Sequence, residues 1–328
     1  MLKRLRNVER VLRRMRHTIV PSRKYRGRSL SRSVLEENST VLRFGAKTMR
    51  WVFQDADTRD FYERSILPWA FPLVRIERRD LSADFTVGAY LLYDETVTGS
   101  FADLPGRKFL LAGEVETRYP RIDRTLSFVQ GPQPGDDPAY IRYAPILCSW
   151  VPPLNPVKSR KCSVVDSGRY PWRVELINRL CRQIGDVEIF GKLSGKTLPG
   201  YHLPGASLAA EGKCVGIQDF CFYLSLERAV ADDYLTEKFG DAVLCNAVPI
   251  YYGAPNLSLY AYPEASISVA DVDKIDWSNW RREYDRRLPA LRAQKEFFRT
   301  KLNIFSYFHA VTDDPSLLDR RRPITIAV

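Results

Sequence analysis

The feature that most constrains this chain is a repeated change of hydrophobic period along its middle. "KTMRWVF" (47–53), "PLVRIER" (72–78), "ADFTVGAYLL" (83–92) and "RKFLLAG" (107–113) are short apolar, β-prone runs. Between the first two, "DADTRDFYERSILPWAF" (55–71) has the acidic start that suits a helix. Parallel strands need long crossovers, usually helical, so this alternation predicts a parallel sheet in an α/β layer fold. "SWVPPLNPVKSRKC" (149–162) then brings three prolines with little periodicity and reads as an interdomain linker.

A second alternation follows the linker. "KCSVVD" (161–166) and "DVEIF" (186–190) are strands flanking the helix "YPWRVELINRLCRQIG" (170–185), with Pro171 suited to its first turn. After a loop-like 198–214 come a strand at 219–227, a helix at about 233–245 and a strand at 247–252. Residues 276–302 read as helix interrupted near Pro289. The expected organisation is an arm at 1–32, α/β units at 33–155 and 156–295, and a helical segment at 296–328. The 328 residues suffice for two cores.

The net charge of +11 invites a nucleic-acid partner, but its location argues otherwise. Residues 1–32 hold twelve of the 50 Lys and Arg and one of the 39 acids, which leaves 38 of each sign for the remaining 296 residues. The body is neutral and the arm is basic. In the arm, Leu5, Val8, Leu12, Met15 and Ile19 form one helical seam that ends before Pro21. Such a helix suits an anionic membrane surface; packing on the chain's own body or on another copy is the alternative. No apolar run reaches the length of a transmembrane helix, and the N-terminus lacks a secretory core. A cytoplasmic protein, peripheral on the inner membrane, is the expectation.

The six cysteines and three histidines are scattered, with no CxxC. That spacing predicts reduced, mostly buried thiols and no metal site. No Walker-type or GxGxxG phosphate loop occurs.

Two parallel-sheet domains would leave a cleft at the carboxyl ends of their strands, where ligands bind in such folds. Glu114, just after "KFLLAG", falls at such an end, where a carboxylate can take a proton from a bound hydroxyl. Glu116 is the nearby competitor, and a solvent-facing loop glutamate is the plainer reading. Arg173 falls in the first turn of its helix, where a cation opposes the dipole unless an anion is bound there. Lys238 repeats that situation beside Glu237, with Asp232 or Asp233 the expected N-cap. Two such cations suit a nucleoside diphosphate; solvated surface charges are the alternative.

The stretch "DYLTEKFGDAVLCNAVPIYYGAPN" (233–256) resembles the defining motif of the family 10 glycosyltransferases, the α-1,3/4-fucosyltransferases. Tyr234, Thr236, Glu237, Lys238 and the run Val248 to Asn256 carry the match. "LSLER" (224–228) resembles the family's Phe-Glu-Asn, "LLAGEVE" (110–116) its Thr-Gly-Glu-Asn, and "YIRYAPIL" (140–147) one of its strands. "VVDSGRYPWRVELINRL" (164–180) resembles its Ser-Asn…Arg segment. This chain departs from the pattern at Arg228 for Asn, Leu226 for Phe, Val115 for Asn, and at Asp166 and Gly168.

The resemblance implies two Rossmann-like domains with parallel sheets in a GT-B arrangement, facing a central cleft. It implies inverting transfer of L-fucose from GDP-fucose to a GlcNAc or glucose hydroxyl of an oligosaccharide or glycolipid, with lipopolysaccharide one such acceptor class. Glu114 would be the base. Arg173 and Lys238 would hold the diphosphate, Glu237 donor hydroxyls, and Tyr234 the pocket wall. Arg228 would add a phosphate contact or alter donor choice. No cofactor or essential metal is implied. Asp55-Ala56-Asp57 and Asp271-Val272-Asp273 match the DxD of a different glycosyltransferase architecture; two matches in one chain show how common that pattern is, and the first reads as helix capping.

Overall fold

The structure, a computed structural model, describes residues 32–44, 47–53, 56–61, 63, 74–77, 83–89, 104, 106–112, 125–129, 140–142, 155–191 and 213–303. In chain order the first part comprises α1 (Arg32–Glu37), β1 (Ser39–Phe44), β2 (Lys47–Val52), α2 (Ala56–Phe61), β3 (Val74–Glu77), β4 (Phe85–Ala89), β5 (Arg107–Ala112), β6 (Thr125–Val129) and β7 (Tyr140–Arg142). The second part comprises β8 (Arg160–Val165), α3 (Pro171–Ile184), β9 (Val187–Phe190), β10 (Phe220–Leu226), α4 (Glu237–Leu244), β11 (Val248–Tyr252), β12 (Ile267–Ser268) and α5 (Trp280–Thr300).

The strands form two sheets, ordered β3-β1-β2-β4-β5-β6-β7 and β12-β11-β10-β8-β9. This is the α/β class expected; the first sheet's last strand ends at Arg142, and β8 of the second begins at Arg160, inside the stretch read as a linker. The first sheet corrects the expectation of parallel strands throughout. It is parallel from β2 to β7, but β1 pairs antiparallel with both β2 and β3. "STVLRF" of β1 was absent from the sequence reading. Only two residues separate Phe44 from Lys47, and a connection that short can join only antiparallel neighbours.

The second sheet is parallel throughout. Its central strand β10, "FCFYLSL", is buried at every position, as a strand covered on both faces must be. Ile177, Leu180 and Ile184 form the apolar stripe of α3 against this sheet, and each is at most 2% exposed. Side chains buried this fully stabilise by about 1.5–3 kcal/mol each. On α5, Tyr284, Leu291, Phe297 and Phe298 are buried. That helix runs unbroken through Pro289, so the expected interruption does not occur. Packing along the buried face outweighs the hydrogen bond that the proline removes.

Cys162, Cys214, Cys221 and Cys245 are buried and free, and Cys181 is half-buried and free. Asp271 and Asp273 sit in a short 3-10 turn whose buried member is Val272, and Asp271 pairs with Lys274 on the surface. Asp55, Cys148 and the side chain of Asp57 lie outside the described residues. No helix among the described residues is long and apolar enough to cross a membrane.

Candidate functional site

Strands β8, β10 and β11 run parallel, so the residues just after them gather at one edge of the second sheet. These are Asp166, Glu227 and Gly253. Helices α3 and α4 begin at this same carboxyl edge, the place where open α/β sheets take ligands.

The start of α3 is built around a buried ion pair. Arg173 Nε lies 2.6 Å from Asp166 Oδ2, with the side chains 7% and 5% exposed. The Nε–H is not aligned with that oxygen, so the contact is an ion pair rather than a hydrogen bond. Asp166 Oδ1 also accepts from the Gly168 amide at 2.7 Å. Arg173 Nη1 donates to the Leu226 carbonyl at 3.3 Å, and the guanidinium lies 5.0 Å from the Tyr170 ring centre. Gly191 holds φ +91°, and a Cβ there would collide with the Asp166 carbonyl. The cation that looked misplaced on the sequence therefore has an internal anion, supplied by a residue that reads in sequence only as a departure from the motif.

The start of α4 is later than expected. Thr236, not Asp232 or Asp233, is the N-cap, and its hydroxyl accepts from the Lys238 amide. Asp233 does a different job. It takes φ 61° and accepts from Asn256 Nδ2 and the Tyr260 hydroxyl, both at 2.6 Å, which fixes the loop after β11. Ser225 Oγ donates to the Lys238 carbonyl at 2.9 Å and ties α4 to β10.

Five charged groups alternate in sign around that helix start. Lys238 Nζ is 3.1 Å from Glu237 Oε1, 3.5 Å from Glu227 Oε2 and 3.1 Å from Thr236 Oγ1. Lys213 Nζ is 3.6 Å from Glu237 Oε1 and 2.5 Å from Asp241 Oδ2. Glu227 and Asp241 have no exposed surface, whereas the Lys238 and Glu237 side chains keep about a quarter of theirs. Burial pushes Glu237 up, but the Lys238 and Lys213 ammoniums outweigh it and hold the carboxyl down at about 2. Burial pushes the Glu227 carboxyl above its ordinary value, against the pull of Lys238. The arrangement offers an accessible ammonium and carboxylate at a helix N-terminus, backed by three more buried charges. Such a constellation can receive an anion together with a hydroxyl donor.

The structure thus gathers Glu237, Lys238, Arg173 and Arg228 along one sheet edge. Arg228 is half-buried directly after Glu227. Tyr234 is 1% exposed, and its carbonyl accepts from the Tyr251 hydroxyl at 3.2 Å. Glu114, Glu116 and residues 1–31 lie outside the described residues. Glu227, Asp166, Asp241 and Lys213 were not singled out as site residues from the sequence. The strand-end rule that picked out Glu114 applies equally to Glu227, whereas no local signal marks Lys213, which is 28 residues from Asp241.

Residues 158–298 match the family model described as "Glycosyltransferase family 10 (fucosyltransferase) C-term". Curated relatives include "GDP-fucose protein O-fucosyltransferase 3" of Homo sapiens, 39% identical over 74 residues, covering 22% of this chain and 15% of that protein. "Alpha-(1,3)-fucosyltransferase 7" of Rattus norvegicus is 35% identical over 126 residues, covering 37% of this chain and 30% of its own length. The chain thus spans less than a third of the length of these curated relatives. A crystal structure of an alpha1,3-fucosyltransferase superposes with a TM-score of 0.43 and 14% identity, over 80% of this chain and 87% of that one. The family match begins just before β8, ends inside α5 and encloses every described charge of the carboxyl edge. Over residues 158–298, the chain is thus similar to the C-terminal part of the family 10 glycosyltransferases.

Proposed function

We propose that this protein is a glycosyltransferase that moves L-fucose from GDP-fucose, with inversion, to a GlcNAc or glucose hydroxyl of a glycan in α-1,3/4 linkage. The observation that carries the reading is the family match over 158–298, which encloses an accessible Lys238–Glu237 pair at a helix N-terminus. In this reading Lys238 meets the diphosphate as charge grows on the departing GDP, and a fixed cation at such a place commonly contributes about 2–4 kcal/mol. Glu237, ionised across the physiological range, accepts hydrogen bonds from donor hydroxyls. Arg173 reaches the same anion from the start of α3, shared with Asp166. Tyr234 closes the wall behind the donor, and Arg228 bears on the choice of sugar. Glu114 removes the acceptor proton as general base. The GT-B cleft would lie between the carboxyl edge of the second sheet and the first α/β unit, which would hold an oligosaccharide or glycolipid. The arm 1–32 would rest on an anionic membrane surface.

Thermal stabilisation by GDP, UDP and GMP tests the donor assignment. A ligand at a hundred times its Kd adds about 2.7 kcal/mol. GDP is expected to raise the melting temperature well above what UDP or GMP does at equal concentration. Equal effects of GDP and UDP would refute the guanine donor, and a panel of GDP-sugars then reads whether fucose is the group transferred.

A further inference from the structure

Glu227 has no place in the donor chemistry just described, yet it is fully enclosed at the carboxyl edge. It follows β10 directly, has no exposed surface, and its amide donates to the Tyr252 carbonyl at 2.8 Å, which ties it to β11. Its Oε1 accepts from the Thr236 amide at 2.9 Å and its Oε2 from the Thr236 hydroxyl at 2.6 Å. The Lys238 ammonium lies 3.5 Å from Oε2. Gly253 packs against its side chain so closely that a Cβ would collide with both Glu227 Cγ and the Tyr251 hydroxyl. A buried carboxylate at this position fixes the cap of α4 and the reach of Lys238 together.

We propose that Glu227 is a positioning residue for Lys238, and that its carboxylate takes up one proton from water when a diphosphate engages that ammonium. This rests on the reading of Lys238 as the diphosphate contact. Glu227 is drawn toward its charged form by the Lys238 ammonium 3.5 Å away and toward its neutral form by burial. On α4 it also faces the negative Glu237, on β11 the phenol of Tyr251, and beyond Leu226 the guanidinium of Arg173, already neutralised by Asp166. A diphosphate that draws the Lys238 charge toward itself removes that cation's benefit and adds negative charge nearby. A carboxylate with no access to water then binds a proton, because burial disfavours its charged form. The 2.6 Å contact to Thr236 survives with donor and acceptor exchanged, so the cap holds. Neutral Glu227 gives up its share of Lys238, which keeps Glu237 as a partner and turns to the anion.

Isothermal titration in buffers of different ionisation enthalpy counts the protons taken up on binding. GDP and inorganic pyrophosphate are titrated into wild type and Glu227→Gln, and the difference between the two proteins cancels the ligands' own titration. Wild type is expected to take up more protons than Glu227→Gln, with its Kd falling by up to about tenfold per pH unit of acidification across the linked range. The variant's affinity is expected to lack that component. Difference infrared spectra of wild type alone should gain a protonated-carboxyl band on ligand addition, a readout that does not depend on the variant folding. Equal proton counts, or no such band, overturn the inference. If pyrophosphate shows the difference and GDP does not bind, the donor reading fails while the role of Glu227 stands. If neither binds, both fall.

Discussion

The pairing of Asp166 with Arg173 gives the sharpest test of how the anion edge is built. If Arg173 were a surface cation waiting for a ligand, Arg173→Met would leave the ligand-free protein as stable as wild type. The structure says otherwise, because the pair is 2.6 Å apart with both side chains at most 7% exposed. Removing one member of such a pair strands a buried charge and costs about 3–5 kcal/mol. For a unit of this size each kcal/mol is worth about 2–4 °C, so Arg173→Met should melt about 6–20 °C below wild type without any ligand. Asp166→Asn should fall in the same range, since its amide can still accept from Gly168 but leaves the guanidinium without a counter-charge. The double variant Asp166→Asn with Arg173→Met strands no charge and should melt above either single variant. Differential scanning calorimetry of the four proteins closes the cycle. Wild-type melting of Arg173→Met in the absence of ligand, or strictly additive losses in the double variant, would refute the buried-pair account.

Other outcomes follow from neighbouring contacts. Thr236→Ala removes both the cap of α4 and a hydroxyl donor to buried Glu227, and should cost about 2–4 kcal/mol by chemical denaturation, with Thr236→Ser recovering most of it. Lys238→Ala should weaken GDP binding about 10- to 100-fold by calorimetry, the worth of one charge-assisted hydrogen bond. Lys295 is buried between the Asn155 and Asn246 amide oxygens, and burial pushes its ammonium down to about 8 from 10.5. The unfolded chain therefore binds more protons between those two values, so the cost of the buried charge is complete below about 8 and fades as pH rises toward 10.5. The melting temperature of Lys295→Met minus that of wild type should accordingly shrink between about pH 7 and about pH 9.5; a constant difference would show that Lys295 is not titrating in the folded protein.

The sequence by itself determined the α/β class, the order of β8, α3, β9, β10, α4, β11 and α5, and the placing of Lys238 in a first helical turn. Those properties live in local periodicity and in single-residue punctuation such as Pro171, and short windows carry them. A compact motif also brought Glu237, Lys238 and Tyr234 forward together. What the tertiary structure decided is how each charge is balanced. Asp166 meets Arg173, seven residues on, across the turn from β8 into α3, while Glu227 and Lys238, and Lys213 and Asp241, are brought together by the packing of separate segments. The cap of α4 was likewise decided in three dimensions. Asp232 and Asp233 are sound N-cap residues by type, but the loop after β11 claims Asp233, through Asn256 and Tyr260, and Thr236 is left to close the helix against Glu227. The antiparallel β1 and the unbroken passage of α5 through Pro289 belong with these, since pairing partners and buried faces outweighed the local signals. Propensity and spacing act over a few residues. Charge pairing and packing act through space, and space is what the fold supplies.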